Sequence, residues 1–223
     1  VSSTVRIGLL LFPGVTQLDL TGPYEILRRV PGAEVHLVWK TLDAVVCDGG
    51  MRILPSMPLE QCPPLDVVLV PGGPGQVDLM ADAAVLEWVA AQGARARYVA
   101  SVCTGSLVLA VAGLLSGYRA TCHWMSLDLL RHWGAVPTAE RVVVDRNRIT
   151  GAGVTAGIDM ALALAALLAG QEEARLIALQ VEAVPVSDAD PETILEAQRR
   201  GKELQKRRRA AVICSGSNGT HNL

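Results

Sequence analysis

Three short apolar runs, each stopped abruptly, limit what this chain can fold into. Val5 to Phe12 (VRIGLLLF) ends at Pro13-Gly14. Val67 to Val70 (VVLV) ends at Pro71-Gly72-Gly73-Pro74-Gly75, and Tyr98 to Val102 (YVASV) ends at Cys103. A continuous apolar run predicts a strand covered on both faces, whereas a half-wet strand would alternate. Helical spacing lies between and after these runs. Leu18 to Val30 shows it, with a firm start expected near Pro23, where a fixed φ suits a first helical turn. Leu86, Val89 and Ala90 mark the face of a second helix, and further helices are predicted over Gly105–Leu115, around Met125–Trp133, over Thr155–Leu168 and over Glu172–Val181. Val35–Trp39 and Ala44–Cys47 read as further strands. Val142–Asp145 and Arg148–Thr150 read as a hairpin turning at Asp145-Arg146-Asn147. Strands alternating with helices predict an α/β fold with a doubly wound, mainly parallel sheet covered by helices on both faces.

Composition narrows the function classes. Of 223 residues, 50% are hydrophobic and 19% charged, which excludes a disordered chain and predicts a sizeable core. The formal charge of -2 makes no bulk electrostatic case for nucleic acid or an anionic membrane. Tyr98 to Tyr118 carries no charge and is long enough to span a bilayer, but Ser101, Thr104, Gly105, Ser106 and Gly113 interrupt it. It changes character midway, so a buried strand and a buried helix are expected instead of a membrane span. The five cysteines include no C-x-x-C pair and no zinc-ligand spacing, and the chain opens without a signal-peptide pattern. A reducing, cytoplasmic compartment is the expectation. An α/β domain is expected over 1–185. Pro185–Pro191 reads as a linker, and 186–223 as that linker, a last helix capped by Asp190 and a disordered tail from Ser215. The Lys206–Arg209 cluster is expected at that helix's solvated end.

Chemistry concentrates at Cys103. A side chain at the turn between a buried strand and a helix stands outside the carboxyl end of the sheet, where open α/β sheets bind ligands. It also meets a helix N-terminus, whose amides favour a thiolate, so the position reads as a cysteine nucleophile elbow. Gly72 and Gly73 close the neighbouring strand, and their amides, with that of Thr104, are candidates for an oxyanion hole; an ordinary glycine loop is the other reading. Asp19 sits between two leucines after the first strand and can be a desolvated acid or a helix cap. His123 can be catalytic or structural, while His36 and His132 lack a partner motif. Cys47, Cys62, Cys122 and Cys214 read as packing residues.

Five ordered motifs carry a resemblance that spans the α/β region. These are FPGVTQLDLTGP at 12–23, VPGGPG at 70–75, SVCTGSLVLA at 101–110, RATCHW at 119–124 and ITGAGVTAGID at 149–159. Together they resemble the DJ-1/PfpI superfamily, which implies a flavodoxin-like fold and a homodimer. Within it, DLTGP, CTGS and TAGIDM are similar to the isocyanide (isonitrile) hydratase branch, and also to the amidase-like sensor domain of AraC-type regulators. Other branches fit less well. A Cys-His-Glu triad needs a late histidine, and none lies between His132 and His221. PfpI-type peptidases place histidine where Thr104 stands, and DJ-1 places glutamate where Asp19 stands. The stretch after Pro185 is too short for the paired helix-turn-helix module of the regulators.

The resemblance implies a cofactor-free, metal-free hydratase acting on a small-molecule isocyanide, with no nucleic-acid or membrane partner. Cys103 is the expected nucleophile, Asp19 the general acid and base, and Thr104 the group positioning water or Asp19. The resemblance also places the Gly151–Gly157 segment against the cysteine, making the Val154 amide a candidate backbone donor. A redox or small-molecule sensor using the same thiolate, and an amidase- or peptidase-like hydrolase, are the alternatives.

Overall fold

The computed structural model describes residues 4–183 and 190–216. Residues 185–189 of the expected linker and 217–223 of the expected tail lie outside them. In chain order the elements are β1 (Val5–Leu10), α1 (Gln17–Leu27), β2 (Ala33–Trp39), β3 (Val45–Val46), β4 (Arg52–Ile53), β5 (Met57–Pro58) and β6 (Val67–Val70). Then come α2 (Gln76–Leu79), α3 (Ala83–Arg95), β7 (Tyr98–Val102), α4 (Gly105–Val111), β8 (Arg119–Ala120), β9 (Val136–Pro137), β10 (Val142–Asp145) and β11 (Arg148–Gly151). The chain closes with α5 (Ala156–Ala169), α6 (Gln171–Gln180) and α7 (Pro191–Gly216).

Seven strands form the central sheet in the order β10-β11-β7-β6-β1-β2-β5. All neighbours are parallel except β10, which pairs antiparallel with β11. Every side chain of β6 is buried, as the unbroken VVLV run requires. Leu9 pairs with Leu69, and Leu69 with Ala100, so the three apolar runs lie side by side at the centre. The sheet is flavodoxin-like, and its strand order reverses at β1. From β1 the chain reaches β2 on one side and β6 on the other, which opens a crevice at their carboxyl ends.

Two expectations are corrected, for the start of α1 and for Lys206–Arg209, while the short strand at Ala44–Cys47 and the helix around Met125–Trp133 are present with details the sequence did not carry. Helix α1 begins at Gln17 and carries Pro23 inside it, not at its start. Pro23 withholds the N–H that would bond the Asp19 carbonyl, but Leu20, Pro23, Ile26 and Leu27 are buried, and tertiary packing outweighs the missing bond. The Ala44–Cys47 strand pairs only with β4, in a separate two-stranded ribbon, and the sheet's edge is the short β5 instead. The segment Trp124–Trp133 is a 3-10 helix, closed by Gly134 at φ 75°. Lys206–Arg209 lies inside α7, because nothing breaks the helical run before Gly216. Its start does match expectation, with the Thr193 N–H donating to Asp190 Oδ1 at 2.9 Å. No helix among the described residues is long and apolar enough to cross a membrane.

Candidate active site

Cys103 is the first of the two residues, with Thr104, between the end of β7 and the start of α4. It adopts φ 56°, a left-handed conformation unusual for a residue with a β-carbon, and so stores strain at the turn. Its N–H is shared between the carbonyls of Gly151 and Ala152, each at 3.0 Å, which ties the turn to the end of β11. The elbow also needs Gly105, since a β-carbon there would lie 2.0 Å from the Val70 carbonyl oxygen. Beneath it, Ser106 Oγ donates to the Thr121 carbonyl at 2.7 Å and accepts from Ser101 Oγ at 2.8 Å. Thr121 N–H in turn donates to Thr150 Oγ1 at 2.9 Å. This buried polar chain locks α4 to β7, to β11 and to Thr121, the residue after β8. Its members were not singled out in the sequence; small hydroxyls within apolar runs were the only signal.

Asp19 faces the cysteine from the first turn of α1 and is fully buried. Its Oδ2 accepts the Gly72 N–H at 3.1 Å, while its buried Oδ1 has no hydrogen-bond partner. Gly73 N–H donates to Thr104 Oγ1 at 3.1 Å. A β-carbon on Gly72 would lie 2.6 Å from the Thr104 nitrogen and 2.8 Å from Asp19 Oδ2, so only glycine lets these three residues meet. The Gly72 and Gly73 amides, read from the sequence as an oxyanion hole, are therefore engaged in orienting Asp19 and Thr104. The amides of Thr104 and Val154 lie near the sulfur and favour its charged form.

Ionisation follows from burial. Desolvation pushes the Asp19 carboxyl up to about 6, with Asp48 adding to it and the Cys103 thiol and Gly72 amide opposing. Asp48 is exposed and acts only through its charge; Thr16 Oγ1 donates to its Oδ2 at 2.6 Å. Burial pushes the Cys103 thiol up to about 12, the Asp19 charge adds to this, and the Thr104 and Val154 amides only partly offset it. The amide at the start of α4 favours the thiolate, while burial and the Asp19 charge act against it. Cys103 is 6% exposed and α4 is seven residues long, so desolvation outweighs the helix end. Burial thus disfavours the charged form of both groups, and charge on either one opposes charge on the other.

His123 caps the 3-10 helix, its Nδ1 accepting the Met125 N–H at 3.4 Å. A β-carbon on Gly153 would lie 2.7 Å from His123 Cδ2, so the ring covers Gly153, next to Val154. No hydrogen bond joins His123 to Cys103 or Asp19 among the described residues. Cys122 is buried in the core, as a packing residue is, and its thiol is pushed up to about 12 by burial first and by Cys103 second. Among the described cysteines, Cys47, Cys62, Cys103 and Cys122 are free. Among the described residues no group of three or more His, Cys, Asp or Glu can hold a metal ion.

A flavodoxin-like sheet that holds a cysteine at a strained strand–helix elbow, opposite a buried carboxyl group, defines a nucleophile-elbow α/β protein. Residues 5–167 match the DJ-1/PfpI family, and the chain belongs to that family. It is 53% identical over 186 residues to the isonitrile hydratase of Pseudomonas putida, covering 83% of this chain and 82% of that one. It is 34% identical over 175 residues to the HTH-type transcriptional regulator GbdR of Pseudomonas aeruginosa, covering 74% of this chain but 47% of the regulator. Among solved structures, a ThiJ/PfpI family protein from Pseudomonas syringae superimposes with a TM-score of 0.79 at 40% identity, over 91% of this chain and 90% of that one.

Proposed function

We propose that this protein hydrates isocyanides to N-substituted formamides, with Cys103 as nucleophile and Asp19 as general acid and base. The observation that carries this reading is a buried carboxyl group, Asp19, facing the buried thiol at the strained Cys103 elbow, in a chain 53% identical to an isonitrile hydratase. The terminal carbon of an isocyanide must receive a nucleophile and a proton together. Asp19 takes the thiol proton as sulfur attacks that carbon, then returns the proton to the same carbon. The S–H bond breaks, S–C and C–H bonds form, and the product is a thioimidate on Cys103. Asp19, again a carboxylate, removes a proton from water as its oxygen attacks the thioimidate carbon, and delivers that proton to nitrogen. Collapse breaks the C–S bond, the hydroxyl proton returns to sulfur, and the formamide leaves.

In this scheme the Thr104 and Val154 amides stabilise negative charge on sulfur in both steps, which is the role available to donors already aimed there. Thr104 Oγ1, held by Gly73, orients water or Asp19. His123 covers the wall of the site without entering the proton path. No cofactor takes part, and the working unit is a homodimer, for which light scattering should report twice the chain's mass. The direct test is incubation with an alkyl isocyanide and detection of formamide. Turnover is expected, and Cys103→Ala should abolish it. Absence of formamide at every pH, or full activity without the sulfur, would sink the reading.

A further inference from the structure

The wall that carries the Val154 amide is made of small residues, Gly151-Ala152-Gly153-Val154-Thr155-Ala156-Gly157, and has little side chain of its own to hold it. Arg141 holds it from outside at three points. The Arg141 carbonyl accepts the Ala152 N–H at 2.9 Å. Its Nε donates to Asp159 Oδ2 at 2.5 Å, and its Nη2 donates to Thr155 Oγ1 at 3.3 Å. The three partners bracket Val154 on both sides. Ala152 is also the residue whose carbonyl takes the Cys103 N–H, so residue 141 holds the acceptor under the elbow through its main chain and the Thr155 end of the turn through its guanidinium. The Arg141 and Asp159 side chains are 58% and 46% exposed, so their ion pair adds little to overall stability. A solvent-exposed pair of little value to the fold, closing a fork on the loop behind a reactive sulfur, has its consequence in geometry.

We infer that Arg141 is a positioning residue for the Cys103 chemistry, holding the 152–155 turn so that the Val154 amide stays on the sulfur. It touches neither the thiol nor Asp19. The inference rests on the hydratase reading for its effect on turnover, while its effect on the thiol does not need that reading. The ionisable groups facing Cys103 are Asp19 from α1 and Cys122 from the turn before the 3-10 helix, and among the described residues no hydrogen bond or ion pair joins the Arg141 side chain to either.

The test compares wild type, Arg141→Ala, Arg141→Lys and Thr155→Val. Iodoacetamide labelling of Cys103 is followed by peptide mass spectrometry at mildly alkaline pH, beside kcat and KM with an alkyl isocyanide. Weakening one amide bond to the charged sulfur should slow Cys103 labelling by about three- to tenfold in Arg141→Ala. The same loss should appear in kcat, with KM changed by less than about twofold. Arg141→Lys should recover part of it, since an ammonium can pair with Asp159 but cannot also fork to Thr155. Thr155→Val, which removes one tether alone, should show a smaller loss in the same direction and carries the test if Arg141→Ala does not fold. Labelling at the wild-type rate in folded Arg141→Ala, or in Thr155→Val where the alanine variant does not fold, would overturn the inference. A labelling effect in a protein that makes no formamide would leave the positioning role standing and remove the hydratase.

Discussion

The Asp19 carboxylate is held in the place that suits it least as a charge, and that is what makes it useful. Its pKa rises from 3.8 to about 6 on folding, so the folded state binds the extra proton more tightly than the unfolded chain does. The sign follows: this group's contribution to stability is fully present below 3.8 and is lost as pH rises through about 6. Asp19→Asn should therefore be more stable than wild type at neutral pH, by up to ~3 kcal/mol, with the gap closing in acid. Paired denaturant titrations at the two pH values measure it. The same substitution should remove most turnover, a loss on the order of 10²–10⁴. Wild-type kcat/KM should fall as pH drops through about 6, where Asp19 takes up a proton and can no longer accept one from sulfur. The residue that works as the base is thus a residue the fold would be more stable without.

At the scale of elements, the elbow works because its surroundings cannot give. Leu69 lies fully buried in β6 between β1 and β7, and Leu69→Ala should cost ~2–5 kcal/mol, read from the denaturation midpoint. The Ser101–Ser106–Thr121–Thr150 chain holds α4 in register with β7, β11 and the residue after β8. Ser106→Ala leaves the Thr121 carbonyl and the Ser101 hydroxyl buried without their partner and should cost ~1–3 kcal/mol. If α4 shifts as a result, Cys103 loses its shared bond to Gly151 and Ala152, and activity should fall together with stability. β6 and β7 follow the boundaries read from the sequence because an apolar run between punctuating residues carries its own period. The start of α1 does not, because Pro23 argues locally for a helix beginning and only burial against the rest of the molecule overrules it.

Across the whole molecule, the site and α7 sit at opposite ends of the sheet. Cys103, Asp19 and Gly72 follow the carboxyl ends of their strands. A groove between α1, α6 and α7 is instead lined by Thr4 and Gly32, which precede β1 and β2, and by Arg200 of α7. Helix α7 docks through Ala197 against Leu176 and Leu179, and Arg200 pairs with Glu173. Ala197→Asp puts a charge into that small cluster, so it should lower the melting temperature by a few degrees and leave kcat unchanged. A parallel loss of kcat would mean that α7 reaches the site through the sheet. What the linear order of residues determined was the sheet, the elbow at Cys103 and a carboxyl group at the end of the first strand. Each of these is a local pattern, of hydrophobic period or of turn residues, carried within a few neighbours. What only the folded molecule decided is how far the two acids are stripped of water and which amides lie near the sulfur. Asp19 and Gly72 are 53 positions apart, and their bond, like the loss of water that moves both pKa values, exists only once distant segments have packed together.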